Sequence, residues 1–223
     1  MGIQQVPAYR RWETGVVLVC DRFGPSLSFY FHALWLWLHG YKVAVVNIHP
    51  DRRPNCLRFV GPWGNEERRN WLTDHIDDTY IVQRIDLLVA RLRGEECRKV
   101  VVMGFGYGGT QALRVSGVEG IVAWYPSLAF HDGSAKTPPD LAKVGCPSLI
   151  MYGATDPETV QSLAVFDQAA GARADMRMEL IPRTGHGFAD WTIQGLLPSR
   201  LYRRRAAHEA WSEVGMWFIR THS

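Results

Sequence analysis

The chain has 223 residues, 47% of them hydrophobic and nine of them tryptophan, which is ample bulk for one packed core and argues against intrinsic disorder. Its 25 basic and 22 acidic residues leave a net charge of +3, too little to imply a polyanionic partner, so no nucleic-acid binding is expected. The four cysteines, Cys20, Cys56, Cys97 and Cys146, are scattered without paired spacing, which excludes a zinc signature and reads as small buried hydrophobes.

The N-terminal MGIQQVPAYRR lacks the apolar stretch of a secretory signal, and Val6 stands where a myristoylated Gly2 wants Ser or Thr. A first strand is predicted at Gly15–Cys20, GVVLVC. Next comes LSFYFHALWLWL from Leu27, too short to span a bilayer and interrupted by His32. It reads as a buried helix from Ser26 to His39, stopped by Gly40. These features predict a cytoplasmic protein with no membrane contact. KVAVVN at Lys42–Asn47 is the second strand, and the stretch from His49 to Trp71 is long enough to be a structured excursion or lid. A helix follows from Asp74 to Arg93, with acids in its first turn, arginines in its last and Gly94 beyond.

The third strand, Arg98–Met103, runs into the glycine-rich GFGYGG, after which small residues open another helix. EGIVAW at Glu119–Trp124 is the fourth strand, followed by a proline-rich loop over Tyr125–Asp140. PSLIMY at Pro147–Tyr152 is the fifth, and PETVQSLAVFDQAAG is a helix ending at Gly171. ADMRMELI at Ala174–Ile181 is the sixth, a second irregular loop covers Arg183–Pro198, and a last helix runs from about Ser199 to Thr221. The first three strands are near-continuous Val and Leu, the pattern of strands covered on both faces. Strands alternating with helices throughout predict one α/β domain over 1–223, a three-layer fold with a mostly parallel central sheet and a core beginning near residue 15. In such sheets ligands bind outside the carboxyl ends of the strands, so the irregular loops should rim one site.

The chemistry begins at Gly104-Phe105-Gly106-Tyr107-Gly108, a strand-to-helix turn laid out like the G-x-S-x-G nucleophile elbow. The position of the attacking residue holds Gly106. Gly104, Gly106 and Gly109 also fit a dinucleotide fingerprint, but no acidic residue ends the next strand, and no Gly-Lys-Ser/Thr forms a phosphate loop. No cofactor and no metal are therefore expected. Downstream, Asp156 and His186 each lie just past a strand end, giving the hydrolase order of nucleophile position, acid, histidine. Asp156 would accept the Nδ1 proton of His186 and stabilise its charged form.

With those segments in view, the sequence resembles the dienelactone hydrolase family of α/β hydrolases over about Gly15 to His222. DRFG at Asp21–Gly24 is similar to the family's Glu-x-Phe-Gly turn, with Asp in place of Glu. LHGYKVAVVNIHPD, MGFGYGG, CPSLIMYGATD, TGHGF and SRLYRRRAAHEAW resemble its second-strand, elbow, acid, histidine and C-terminal segments. The resemblance implies an α/β hydrolase fold and a small ester- or lactone-type carbonyl compound as ligand. It makes His186 the base, Asp156 its orienter, and the backbone N–H groups of Arg22 and Tyr107 the oxyanion hole. Asp21 then stands where the family's glutamate contacts the resting thiol, and Asp21, Phe23 and Tyr125 line the substrate pocket. The arginines that hold a substrate carboxylate are sought among Arg52, Arg53, Arg68 and Arg69, and the family's N-terminal hairpin is expected to be reduced.

Gly106 departs from the family. A strained elbow commonly has positive φ, which glycine adopts freely, so the residue is explicable by the turn alone. Functionally, covalent hydrolysis is expected to be lost. One reading keeps an enzyme, with His186 and Asp156 acting as a general base on water or on a carbon acid and the oxyanion hole intact. The alternative is a pseudoenzyme that serves as a binding or assembly component with a protein partner. Tyr107 is a poor substitute nucleophile at neutral pH, and Cys20 should face away if Asp21 faces the site.

Overall fold

The computed structural model describes residues 13–49, 73–130, 133–170, 173–193, 197–198 and 201–222. The predicted excursion beyond His49, with Cys56, Arg52, Arg53, Arg68 and Arg69, and residues 1–12 before the first strand lie outside the described residues.

Six parallel strands form one sheet in the order β2-β1-β3-β4-β5-β6. They are β1 (Thr14–Val19), β2 (Lys42–Val46), β3 (Lys99–Phe105), β4 (Gly120–Trp124), β5 (Ser148–Gly153) and β6 (Met176–Ile181). The helices are α1 (Leu27–Leu38), α2 (Asp78–Gly94), α3 (Tyr107–Ala112), α4 (Pro157–Ala170) and α5 (Arg204–His222). All six predicted strands are present, and the sheet with its helices is a three-layer α/β hydrolase fold. A small antiparallel ribbon, β7 (Thr192–Ile193) with β8 (Leu197–Pro198), interrupts the loop after β6.

Burial follows position in the sheet. From the second residue of each on, β1 and β3 are wholly buried, as are β4 and β5 throughout, because helices cover both faces. At the edges, β2 is mostly half-buried despite its valines, and β6 is buried only at its two ends, Met176 and Ile181. On one face Trp211 of α5 packs at 5.2 Å from the Trp35 ring and 4.9 Å from the His32 ring of α1. It also reaches Trp124 of β4 at 5.0 Å, tying these helices to the sheet centre.

Helix α1 departs from expectation. Ser26, where the helix was expected to begin, caps it instead, its side chain accepting from Phe29 N at 3.2 Å. Only Ser28, Phe29, His32 and Leu36 are buried, however, while Phe31, Leu34, Trp37 and Leu38 are exposed. A helix lying on a sheet offers it one stripe, so a sequence apolar all round leaves the rest uncovered. Helix α2 begins four residues later than predicted, because Asp77 rather than an earlier acid caps it, accepting from Tyr80 N at 3.0 Å. Its last turn ends on Gly94 itself, and the left-handed residue beyond is Glu96, with φ of 70°.

Because every strand of the sheet is parallel, all carboxyl ends lie along one edge. Asp21, Gly106, Tyr125, Asp156 and His186 follow β1, β3, β4, β5 and β6 there in turn. Among the described residues, no helix is long and apolar enough to cross a membrane.

Candidate active site

The acid and the histidine are brought together by stapled loops. After β5, Ala154 N donates to Ile181 O at 2.9 Å, and Thr155 donates twice to Thr184 O, through N and Oγ1, each at 2.8 Å. These bonds bind the β5 loop to the β6 loop and set His186 Nδ1 2.9 Å from Asp156 Oδ2. The Asp156 side chain is 1% exposed and that of His186 is 27% exposed, so the pair has a buried anchor and an accessible end. Asp156 Oδ1 accepts from Glu158 N at 3.0 Å, which fixes the carboxylate. Burial works against the charged imidazole, but the Asp156 hydrogen bond and the charges of Glu158, Asp156 and Asp21 together outweigh it. His186 therefore holds its proton above the usual histidine range.

Tyr125 has φ of 38°, a backbone conformation unusual for a side-chain-bearing residue. Its ring packs 5.1 Å from that of His186, and it is 1% exposed. The hydroxyl donates to Asp190 Oδ2, and burial with that carboxylate pushes its pKa well up. Asp190 was not anticipated. Its Oδ1 accepts from Ser28 Oγ at 3.2 Å and lies 3.6 Å from His32 Nε2, linking the β6 loop to α1.

At the other end of the site stands the elbow. Gly106 has φ of 53° and ψ of −123°, and its N–H donates to Trp124 O at 2.9 Å. The left-handed φ suits glycine, as the turn requires. Gly108 is confined differently: a Cβ there would meet Cys20 O at 2.3 Å, so its absence lets α3 press against the end of β1.

That contact decides what fills the site. Asp21 Oδ1 accepts from Arg22 N at 2.6 Å and from Tyr107 N at 2.9 Å, the two amides assigned to the oxyanion hole. A Cβ on Gly106 would lie 2.2 Å from the same oxygen and 2.5 Å from Asp21 Cγ. Asp21 thus occupies both amides that the resemblance assigns to an oxyanion hole and the space where a side chain on Gly106 would begin. Sequence reasoning placed Asp21 in the pocket but missed this occupancy, because it depends on how closely two remote turns approach.

Arg22 holds the turn in place. Its guanidinium donates to Thr73 Oγ1 at 2.6 Å and Ser127 Oγ at 3.1 Å, and its Nε lies 3.7 Å from Asp21 Oδ1. His49 Nε2 is 2.7 Å from Arg22 O. Thr73 and Ser127 carried no motif that could have marked them, and His49 lay in the second-strand segment without being singled out. Phe23 is half-buried in the same turn. The other candidate nucleophiles are unsuited. Cys20 is fully buried, and burial pushes its thiol up to about 12. The Tyr107 hydroxyl donates to Asp78 Oδ1 at 2.6 Å, and burial together with that bond raises its pKa.

An apolar cleft of about 700 Å³ opens between α1 and α5, lined by Phe31, His32, Trp35, Trp191 and Trp211 among others. Its lining contains none of Asp21, Gly106, Asp156 or His186. Among the described residues, no group of three or more His, Cys, Asp or Glu is placed to hold a metal ion.

Comparison with known proteins matches residues 4–222 to the profile of the dienelactone hydrolase family. No curated protein matches the sequence. A solved structure provisionally described as a dienelactone hydrolase from Klebsiella pneumoniae is similar, with 20% identity and a TM-score of 0.76. The alignment covers 92% of this chain and 86% of that one. A dienelactone hydrolase-like promiscuous phosphotriesterase from metagenomic libraries shares 16% identity at a TM-score of 0.60, over 93% of this chain and 86% of that one. A metagenome-derived lipolytic enzyme shares 15% at 0.61, over 94% of each chain. At these identities the structures establish the fold.

Proposed function

The chain belongs to the dienelactone hydrolase family, and from that premise we propose that it hydrolyses a small ester or lactone without a covalent intermediate. His186 serves as general base on water, and Asp156 orients and stabilises it. The observation that carries this reading is the 2.9 Å bond between a buried Asp156 and a partly exposed His186, beside a turn with no nucleophile. Neutral His186 takes a proton from water through its other ring nitrogen as the water attacks the carbonyl carbon. The carbonyl oxygen, gaining charge, takes the Arg22 and Tyr107 N–H groups once Asp21 has swung out of them. General-base catalysis of this kind contributes ~10²–10⁴-fold. The test is His186→Ala on a panel of small activated esters and lactones, such as p-nitrophenyl acetate and dihydrocoumarin. Turnover should drop by ~10²-fold or more, and an unchanged rate would overturn the assignment.

A second reading is favoured by one observation: both oxyanion amides are already taken by Asp21. In it the chain is a pseudoenzyme that binds a carbonyl compound or a protein partner without turning anything over. It predicts no activity on the whole panel together with a stable complex in native pull-downs. Turnover that depends on His186 would rule it out.

A further inference from the structure

The vacancy at Gly106 is filled by a carboxylate from another turn, and that carboxylate is held in a particular way. Oδ1 of Asp21 takes both backbone donors. Oδ2 has no hydrogen-bond partner among the described residues, and it lies 3.1 Å from where a Gly106 Cβ would be. The Asp21 side chain is 24% exposed, so the carboxylate is only partly covered. Asp156 and His186, joined at 2.9 Å, supply a base past the ends of β5 and β6, on the sheet edge where Asp21 follows β1.

We propose that Asp21 is itself a nucleophile, whose Oδ2 displaces an anionic leaving group from a saturated carbon while Oδ1 stays in the N–H groups of Arg22 and Tyr107. The substrate class is a small alkyl halide or similar alkyl electrophile. Attack on a carbonyl would not suit this carboxylate, because the substrate's developing oxyanion would find both donors occupied by Oδ1. Attack at saturated carbon develops no such oxyanion.

In the first step Oδ2 forms a C–O bond to the alkyl carbon, and the halide leaves with the bonding electron pair. The product is an alkyl ester of Asp21 whose carbonyl oxygen, Oδ1, already sits between the two donors. In the second step His186 takes a proton from water, and the hydroxide attacks Asp21 Cγ. Negative charge gathers on Oδ1, where the two N–H groups stabilise it. Collapse expels the alkoxide, which takes the proton from His186, and the newly formed carboxylic acid releases its proton to solvent. The sum is alkyl halide and water giving alcohol, halide and a proton, with Asp21 restored as a carboxylate carrying one oxygen from water. Carboxylate nucleophiles that form such intermediates split one difficult displacement into two easier steps.

The proposal rests on the His186–Asp156 base of the reading above, but it needs Asp21 inside the donors, whereas ester hydrolysis needs it out. The wild-type protein in excess is given limiting 1-bromobutane in heavy-oxygen water, followed by mass spectrometry of the peptide bearing Asp21 and of the butanol. Heavy oxygen is expected in Asp21 and ordinary oxygen in the butanol. Asp21→Ala should slow bromide release by at least ~10²-fold, and His186→Gln should accumulate a butyl ester on Asp21. The far-UV circular dichroism spectrum of Asp21→Ala should match that of the wild type, which reports that the variant is folded. Heavy oxygen in first-turnover butanol with none in Asp21 overturns the proposal, as does the absence of bromide release by the wild type. Bromide release with labelled Asp21 but no ester hydrolysis leaves the proposal standing and removes the carbonyl reading.

Discussion

At the scale of single residues, Gly106 and Asp21 exclude each other's alternatives. A Cβ on Gly106 would come within 2.2 Å of Asp21 Oδ1, and the residue sits at φ of 53°. Gly106→Cys should therefore cost ~1–3 kcal/mol in urea-induced unfolding through backbone strain, with a further loss from displacing the carboxylate. Gly106→Cys combined with Asp21→Gly removes the clash, so it should recover part of that loss. A burst of p-nitrophenol from p-nitrophenyl acetate should appear in the double variant and not in Gly106→Cys alone. A burst of equal size in the single variant would mean that Asp21 yields easily. The glycine is thus more than the best residue for a turn: it makes room for a neighbour's carboxylate.

His186 adds a pH signature at the same scale. Its proton affinity in the folded chain is raised, against burial, by Asp156 and by the charges of Glu158 and Asp21. As a general base it must be neutral, so activity should rise with pH through an inflection above the ordinary value of about 6.5. The sign for stability is opposite. A group whose folded pKa is raised adds stability that is full below its unfolded pKa and is lost as pH rises through the folded value. Asp156→Asn should move the kinetic inflection downward, since it removes the hydrogen-bonded carboxylate. An inflection that stays put in that variant would show that another group titrates.

Among the elements, the decisive joints are between loops rather than within helices. The β5 and β6 loops are joined by Ala154 N to Ile181 O and by the two bonds from Thr155 to Thr184 O. Thr155→Val removes the side-chain bond, worth about 1 kcal/mol in stability. It should lower ester turnover by more than that loss implies, because it loosens the distance between Asp156 and His186. Comparing kcat with the unfolding midpoint checks this, and equal proportional effects would show that the staple only stabilises. The strands themselves were legible because Val-rich runs bounded by glycine and proline report local backbone preference. The starts of α2 and α5 were less so, since capping by Asp77 and the chain's entry into α5 at Arg204 depend on local geometry that several nearby residues could have provided. The exposure of α1 was not legible at all. Its sequence is apolar on every side, and only docking on the sheet selects which stripe is buried.

For the whole molecule, one continuous parallel sheet runs from β2 to β6 with its register unbroken at every pair. Trp211 near the C-terminus packs on α1 near the other end of the sequence. A chain closed on itself in this way should unfold as one cooperative unit, with a single calorimetric transition whose van't Hoff and calorimetric enthalpies agree. Two resolved transitions would divide the domain expected over 1–223.

The sequence by itself determined the order of strands and helices, the family resemblance, and the succession Gly106, Asp156, His186 past strand ends. Each of these is written in local composition and spacing, and a parallel sheet then delivers all strand ends to one edge. Tertiary structure alone decided what stands in the empty nucleophile position. Asp21 Oδ1 meets Tyr107 N across 86 residues of sequence, and it does so because α3 presses on the end of β1 where Gly108 has no side chain. No local pattern encodes an approach between two turns so far apart, whereas a few tenths of an ångström in that packing settle whether the two amides await a ligand or already hold a carboxylate.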